Sequence, residues 1–190
     1  ETGAALYFSD AKIRIINSTI SGNYSSTDAA PGGIYSSNGT QGLFILNSII
    51  WYNSSPQMKF EDDATQLIVA YSDIGHPEIS YDNLDNYSNM TLIYPSGVFT
   101  NISADPLFES SIIPSGTPTN GGNFHLQEEM PAVSPCINTG SDEFLWLHEG
   151  DLIGLDTLDY TPPAPDMGMY ESNSEILVAC MVSTACNYIE

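Results

Sequence analysis

The sequence predicts an all-β chain, a parallel β-helix of about six coils closed by an irregular, loop-rich C-terminal region. Three observations carry this. Short Ile-rich segments recur at 24–30 residues, too close together for helix pairs. No stretch shows a capped 3.6-residue period, and β-branched residues dominate the repeats. Ser, Thr and Asn supply the polarity, and these residues suit turns and junctions.

The elements follow in order. Ala5-Leu6-Tyr7-Phe8-Ser9 matches Gly33-Ile34-Tyr35-Ser36-Ser37 as a first strand. Ile13-Arg14-Ile15-Ile16-Asn17-Ser18-Thr19-Ile20 is echoed by Leu43-Phe44-Ile45-Leu46-Asn47-Ser48-Ile49-Ile50, and again by Leu67-Ile68-Val69-Ala70-Tyr71-Ser72-Asp73-Ile74. Each unit therefore holds a Gly/Ala-Ile/Leu-Tyr strand, then an Ile-rich strand ending in Asn-Ser and a further apolar pair. Inward Ile, Leu and Val should stack in ladders. Asn tolerates a left-handed bend, so Asn17 and Asn47 are expected at equivalent junctions, stacked on one another. At about 4.8 Å per coil, six coils make a stack roughly 30 Å long. Insertions fall in polar turns at 24–31 and 54–65. Residues 4–80 read as repeat coils, 81–172 as irregular coils and a cap over the open end of the stack, and 173–190 as an extension that adds a last strand. Glu1-Thr2-Gly3 resembles a scar from a vector for secreted expression, in which case the chain is expected to be an excised ectodomain; the alternative is a natural mature N-terminus.

The chain has 190 residues, with three Lys or Arg against 24 Asp or Glu, a net charge of −21. Lys12, Arg14 and Lys59 cannot neutralise a run of phosphates, so nucleic acid is excluded, and an anionic membrane would repel the chain. No apolar run is long enough to span a bilayer. The three cysteines leave at least one without a partner in the chain. Cys180 and Cys186 are close enough to close a short loop, and Cys136 reads as a small buried hydrophobe. Of seven Asn-x-Ser/Thr sequons, Asn23, Asn38, Asn86, Asn89 and Asn101 are glycan candidates. Asn17 and Asn53 are weaker, the first because it is expected to stack inward, the second because Pro56 follows its sequon closely.

Six segments occur in order: Asn47-Ser48-Ile49-Ile50-Trp51, Tyr71-Ser72-Asp73-Ile74, Asn101-Ile102-Ser103-Ala104-Asp105-Pro106-Leu107-Phe108, Gly122-Asn123-Phe124-His125-Leu126, Ser134-Pro135-Cys136-Ile137-Asn138-Thr139-Gly140 and Pro165-Asp166-Met167-Gly168-Met169-Tyr170-Glu171. Over residues 3–172 this order resembles the C-terminal part of right-handed parallel β-helix repeat proteins of the pectin-lyase-like superfamily. Those are large secreted or surface proteins, often adhesin-like. The resemblance implies a right-handed coil, and packing or capping roles for Asp105, His125 and Asp166. It does not decide between enzyme and adhesin, because the fold hosts both.

The residues weigh against catalysis, and no catalytic set is assigned. Lyases of this fold need Lys or Arg as base and as clamps for acidic sugar; Lys12 and Arg14 share one strand face and Lys59 lies in a loop. Hydrolases need paired carboxylates. Asp62-Asp63 stands alone, and the ordered motifs of polygalacturonase-like hydrolases do not occur. No cofactor is expected, with Ca²⁺ the one ion that the loop spacing of Asp151, Asp156 and Asp159 admits. Trp51, Tyr52 and Trp146 are the candidates for stacking on a glycan, with one of Trp51 and Tyr52 pointing outward if both lie on a strand. The reading is a non-catalytic, extracellular β-helix module that binds a protein or glycan partner at a cell surface. The alternatives are a carbohydrate-active enzyme of the same fold and a structural or self-associating stalk.

Overall fold

The computed structural model describes residues 5–26, 31–37, 42–54, 56–60, 67–75, 79–81, 101–112, 121–142, 145–148, 151–154 and 164–172. Among them every regular element is a short strand, so the chain is all-β. Nine strands form three triplets. The first is β1 (Leu6–Ser9), β2 (Lys12–Ile16) and β3 (Thr19–Ser21); the second is β4 (Ile34–Ser37), β5 (Gly42–Leu46) and β6 (Ile49–Trp51). The third is β7 (Met58–Phe60), β8 (Leu67–Ala70) and β9 (Asp73–Ile74), followed by β10 (Ile79–Tyr81). Corresponding strands pair in parallel, giving sheets β1-β4-β7-β10, β2-β5-β8 and β3-β6-β9.

The register is that of the sequence echoes. Ile13 lies beside Leu43 and Leu43 beside Leu67, while Ile20 lies beside Ile50 and Ile50 beside Ile74. Alternation along each strand then sends one set of side chains inward. One core cluster draws Ile34, Met58 and Phe60 from the first sheet, Ile15, Leu43, Ile45 and Val69 from the second, and Ile50 and Ile74 from the third. The three sheets therefore face a shared interior. Ile13 packs partly buried against it, and Arg14, one residue on, is exposed.

Close approach at the start of the second triplet requires glycine. A Cβ on Gly32 would come within 2.5 Å of the Ser54 nitrogen, and one on Gly33 would run into the Gln57 carbonyl oxygen.

The junctions differ from expectation in one respect. Asn17 and Asn47 do adopt left-handed φ values of 45° and 46°, and Tyr71 holds the same place at 49°. Their amides do not stack. Asn47 Nδ2 donates to the Ser141 carbonyl and its Oδ1 accepts from the Ser141 amide, while Asn17 Oδ1 is buried without a partner. The C-terminal segment passes close enough to capture Asn47, and that capture replaces the ladder.

The polar ladder runs one residue later, in serine. Ser18 N donates to Ser48 Oγ at 3.2 Å, Ser48 N to Ser72 Oγ at 3.1 Å, and Ser72 N to Asn101 Oδ1 at 3.0 Å. Each serine hydroxyl in turn donates to the carbonyl two residues back. Ser48 is fully buried, so Ser48→Ala strands the Ser18 amide and takes one of two donors from the Leu46 carbonyl, which keeps the Asn17 amide. We expect a loss of about 1–3 kcal/mol in urea unfolding, larger than for Ser18→Ala at the half-exposed end of the row; equal losses would contradict the ladder.

Beyond the triplets the pairing turns antiparallel. β11 (Phe108–Ser110) pairs with β12 (Asn123–Leu126), and β13 (Leu145–His148) with β14 (Asp151–Gly154). Phe108, Leu126, Cys136, Ile137 and Met167 form a second cluster with Ile49, on the opposite face of β6 from Ile50. Tyr52, Phe108 and Phe124 extend it as tilted and edge-on rings at 6.4 and 5.3 Å. No helix among the described residues is long and apolar enough to cross a membrane.

Candidate functional site

The most unusual buried group stands at a ladder position. Thr19 on β3 lies beside Ile49 on β6, and Ile49 beside Asp73 on β9, so a carboxylate occupies the place of an apolar rung. Asp73 has no exposed surface. Its Oδ1 accepts from the Ala104 amide at 3.2 Å, and its Oδ2 accepts from the Cys136 thiol at 3.1 Å. A parallel bridge joins its backbone to Ile102. Burial pushes the Asp73 carboxyl up to about 7; the nearby Asp105 charge adds to the rise and the two hydrogen bonds oppose it. Burial, followed by the Asp73 charge, also pushes the Cys136 thiol up, so the sulfur keeps its proton and acts as donor. This pair fastens residues 101–104 and 134–137 to the edge of the third sheet. Both carboxylate oxygens are committed, which leaves Asp73 a structural acid rather than a proton acceptor for a ligand.

Other carboxylates serve turns, as expected. Asp105 Oδ1 accepts from the Leu107 amide at 2.9 Å. Asp166 accepts from the Asn138 and Ser172 amides at 2.7 and 2.6 Å. Asp105 Oδ2 also accepts from the Tyr52 hydroxyl at 2.8 Å, and burial together with that carboxylate pushes the phenol up to about 12.

The surface feature suited to recognition lies on β12 and the segment after Asp166. The His125 and Tyr170 rings stack with centroids 4.0 Å apart and planes 17° from parallel, and both residues are exposed. Met169, half of whose surface is in solvent, stands beside Tyr170 in the chain, and its amide donates to Thr19 Oγ1 at 3.2 Å. Met169 and Phe124 line an open cleft of about 410 Å³ together with residues of β1–β3, among them Leu6, Ile15 and Ile20.

The residues singled out in the sequence are dispersed. Trp51 closes β6, and Tyr52 lies just beyond it at φ 55°, so strand alternation does not place the two on opposite faces. Both are half-buried against the second cluster, edge-on at 6.3 Å. Trp146 lies on β13, two strands away in sequence from β11. Asp151 opens β14 rather than a loop, and Asp156 and Asp159 lie outside the described residues. Among the described residues no three His, Cys, Asp or Glu side chains gather closely enough to hold a metal.

Among the sequons, Asn23 Nδ2 donates to Asn53 Oδ1 at 2.8 Å, Asn53 Nδ2 to Gln57 Oε1 at 2.9 Å, and Asn101 Nδ2 to the Val69 carbonyl at 2.8 Å. Asn38, Asn86 and Asn89 lie outside the described residues, as do Cys180, Cys186 and the whole 173–190 extension. Cys136 is buried as expected but carries a polar partner. Sequence reading missed Asp73; its signal was a charge where the two earlier units place Thr19 and Ile49.

Fold and site together define a class: an all-β chain of stacked parallel strands with a C-terminal segment fastened to one sheet. In comparisons with known proteins, no family model, no curated protein and no solved structure matches this chain.

Proposed function

We propose that this chain is a non-catalytic module of a secreted or cell-surface protein, a right-handed β-helix of the pectin-lyase-like kind that binds a protein or glycan partner. Three strand triplets in matched register around one core support the coiled reading, as does the order of segments quoted above. The observation that carries the binding reading is the exposed His125–Tyr170 stack beside Met169. It offers a flat aromatic face and a pliable apolar side chain, the combination that accepts the apolar face of a sugar or an apolar side chain of a partner. Asp73, whose titration is the most shifted toward neutrality, is by contrast sealed and fully bonded.

A glycan array run beside a polysaccharide-degradation screen tests this. Binding that falls at least about tenfold in Tyr170→Ala, with thermal unfolding within about 0.5 kcal/mol of the parent, is the expected result. Release of reducing or unsaturated sugar by the parent chain would sink the non-catalytic reading, and ligand binding untouched by both Tyr170→Ala and His125→Ala would remove the surface.

A further inference from the structure

We infer that the outer edge of β1, β2 and β3 is a docking surface for one further polypeptide coil of the same strand-and-turn kind, laid parallel to the first triplet. The inference stands on the sheet geometry and goes beyond the binding reading above. Among the described residues each of the three parallel sheets ends at this triplet. An open edge of this kind presents backbone groups ready to pair with another strand.

The hydrogen-bond rows say what would pair. In every row, a triplet gives a backbone amide to a side-chain oxygen of the next triplet: Ser18 N to Ser48 Oγ, Ser48 N to Ser72 Oγ, Asn23 N to Asn53 Oδ1. Read backward, the next acceptors are Ser18 Oγ and Asn23 Oδ1. Ser18 Oγ donates to the Ile16 carbonyl and accepts nothing; Asn23 directs Nδ2 to the Ser21 carbonyl and to Asn53 Oδ1, and its own oxygen accepts nothing. Among the described residues, the two buried side-chain atoms without any partner, Asn17 Oδ1 and Ser21 Oγ, also belong to this triplet. The apolar rungs end here as well: Leu6 is 38% exposed, and Phe8, Ile13 and Ile20 are only partly covered. An open cleft of about 410 Å³ is lined by residues of all three edge strands, among them Leu6, Ile15 and Ile20, together with Phe124 and Met169.

A second copy of the chain fits poorly. Face to face, it would set its own acceptors against these acceptors, and its Lys12 and Arg14 against their counterparts. It would also bring together two bodies of charge −21. A parallel coil supplies the missing amides in the register already used between the first and second triplets.

The test places a copy of residues 34–57 directly ahead of Leu6, so that the copied Ser48 amide meets Ser18 Oγ. Hydrogen exchange at the β1–β3 amides is compared with that of the unextended chain and of one extended by the same residues scrambled. Slowing by about tenfold or more with the ordered copy alone is expected. Ser18→Ala should reverse part of that slowing in the extended chain and change little in the unextended one. Unchanged exchange, equal slowing by the scrambled segment, or failure of the ordered extension to fold where the scrambled one folds overturns the proposal. Concentration-dependent dimers of the unextended chain that protect the same amides would overturn it in favour of a second copy.

Discussion

Ile45→Ala is expected to lower stability by about 2–5 kcal/mol and the unfolding temperature by roughly 5–20 °C, as read by circular dichroism. Ile45 is the middle rung of an apolar row, with Ile15 on one side and Val69 on the other. It has no exposed surface and lies in the cluster that all three sheets share. The backbone on both flanks is held in parallel pairing, so neighbours cannot collapse into the space. The same truncation at Ile15, on an edge strand with 6% exposure and one paired neighbour, should cost clearly less. Equal losses at the two positions would mean that the interior is not one continuous stack.

Asp73→Asn should change the way stability depends on pH. The native carboxyl titrates near 7, against 3.8 for the ordinary group, so between those values the folded chain holds a proton that the unfolded chain has released. Folding is then least penalised below about pH 4. It weakens as pH rises toward 7 and carries the whole cost of a buried charge above it, at most about 4 kcal/mol. Asparagine keeps an oxygen for the Ala104 amide and never ionises. The variant should therefore gain on the parent between pH 5 and pH 8, by roughly 1–3 kcal/mol in urea midpoints converted to free energy. A gap between the two proteins that is the same at both pH values would show that Asp73 is ionised in the native state as it is in the unfolded chain, with no raised titration.

Most strands of the triplets were legible because the units repeat apolar residues, then Asn or Tyr, then Ser in step, and parallel pairing sets like beside like; β7 was not, because Met58–Phe60 falls in the stretch 54–65 read as a polar turn. Ile13, Leu43 and Leu67 stand at matching places in the three sequence echoes and form one row. The contacts that fasten the C-terminal segment carry no such period. Cys136 meets Asp73 across 63 residues, Ser141 meets Asn47 across 94, and Met169 meets Thr19 across 150. Each depends on where an irregular segment passes, which local pattern does not encode. For the same reason the Asn17–Asn47 ladder was a fair expectation from spacing and still failed: Ser141 competes for Asn47. The His125–Tyr170 stack joins β12 to a turn 45 residues later, two segments with no shared motif.

The outer face of β6 has a consequence for biogenesis. Ile49 is covered by Met167 and its neighbours, and the Gly168 amide closes onto the Asn47 carbonyl at 2.8 Å. A ribosome adding about 5–20 residues per second leaves Ile49 bare for roughly 5–25 s before its cover is made. During that interval the parallel strands can already be paired, with one greasy face turned to the surroundings. Nascent chains of this protein thus pass through a sticky half-finished state, and their yield rests on what shields that face until the last segment arrives.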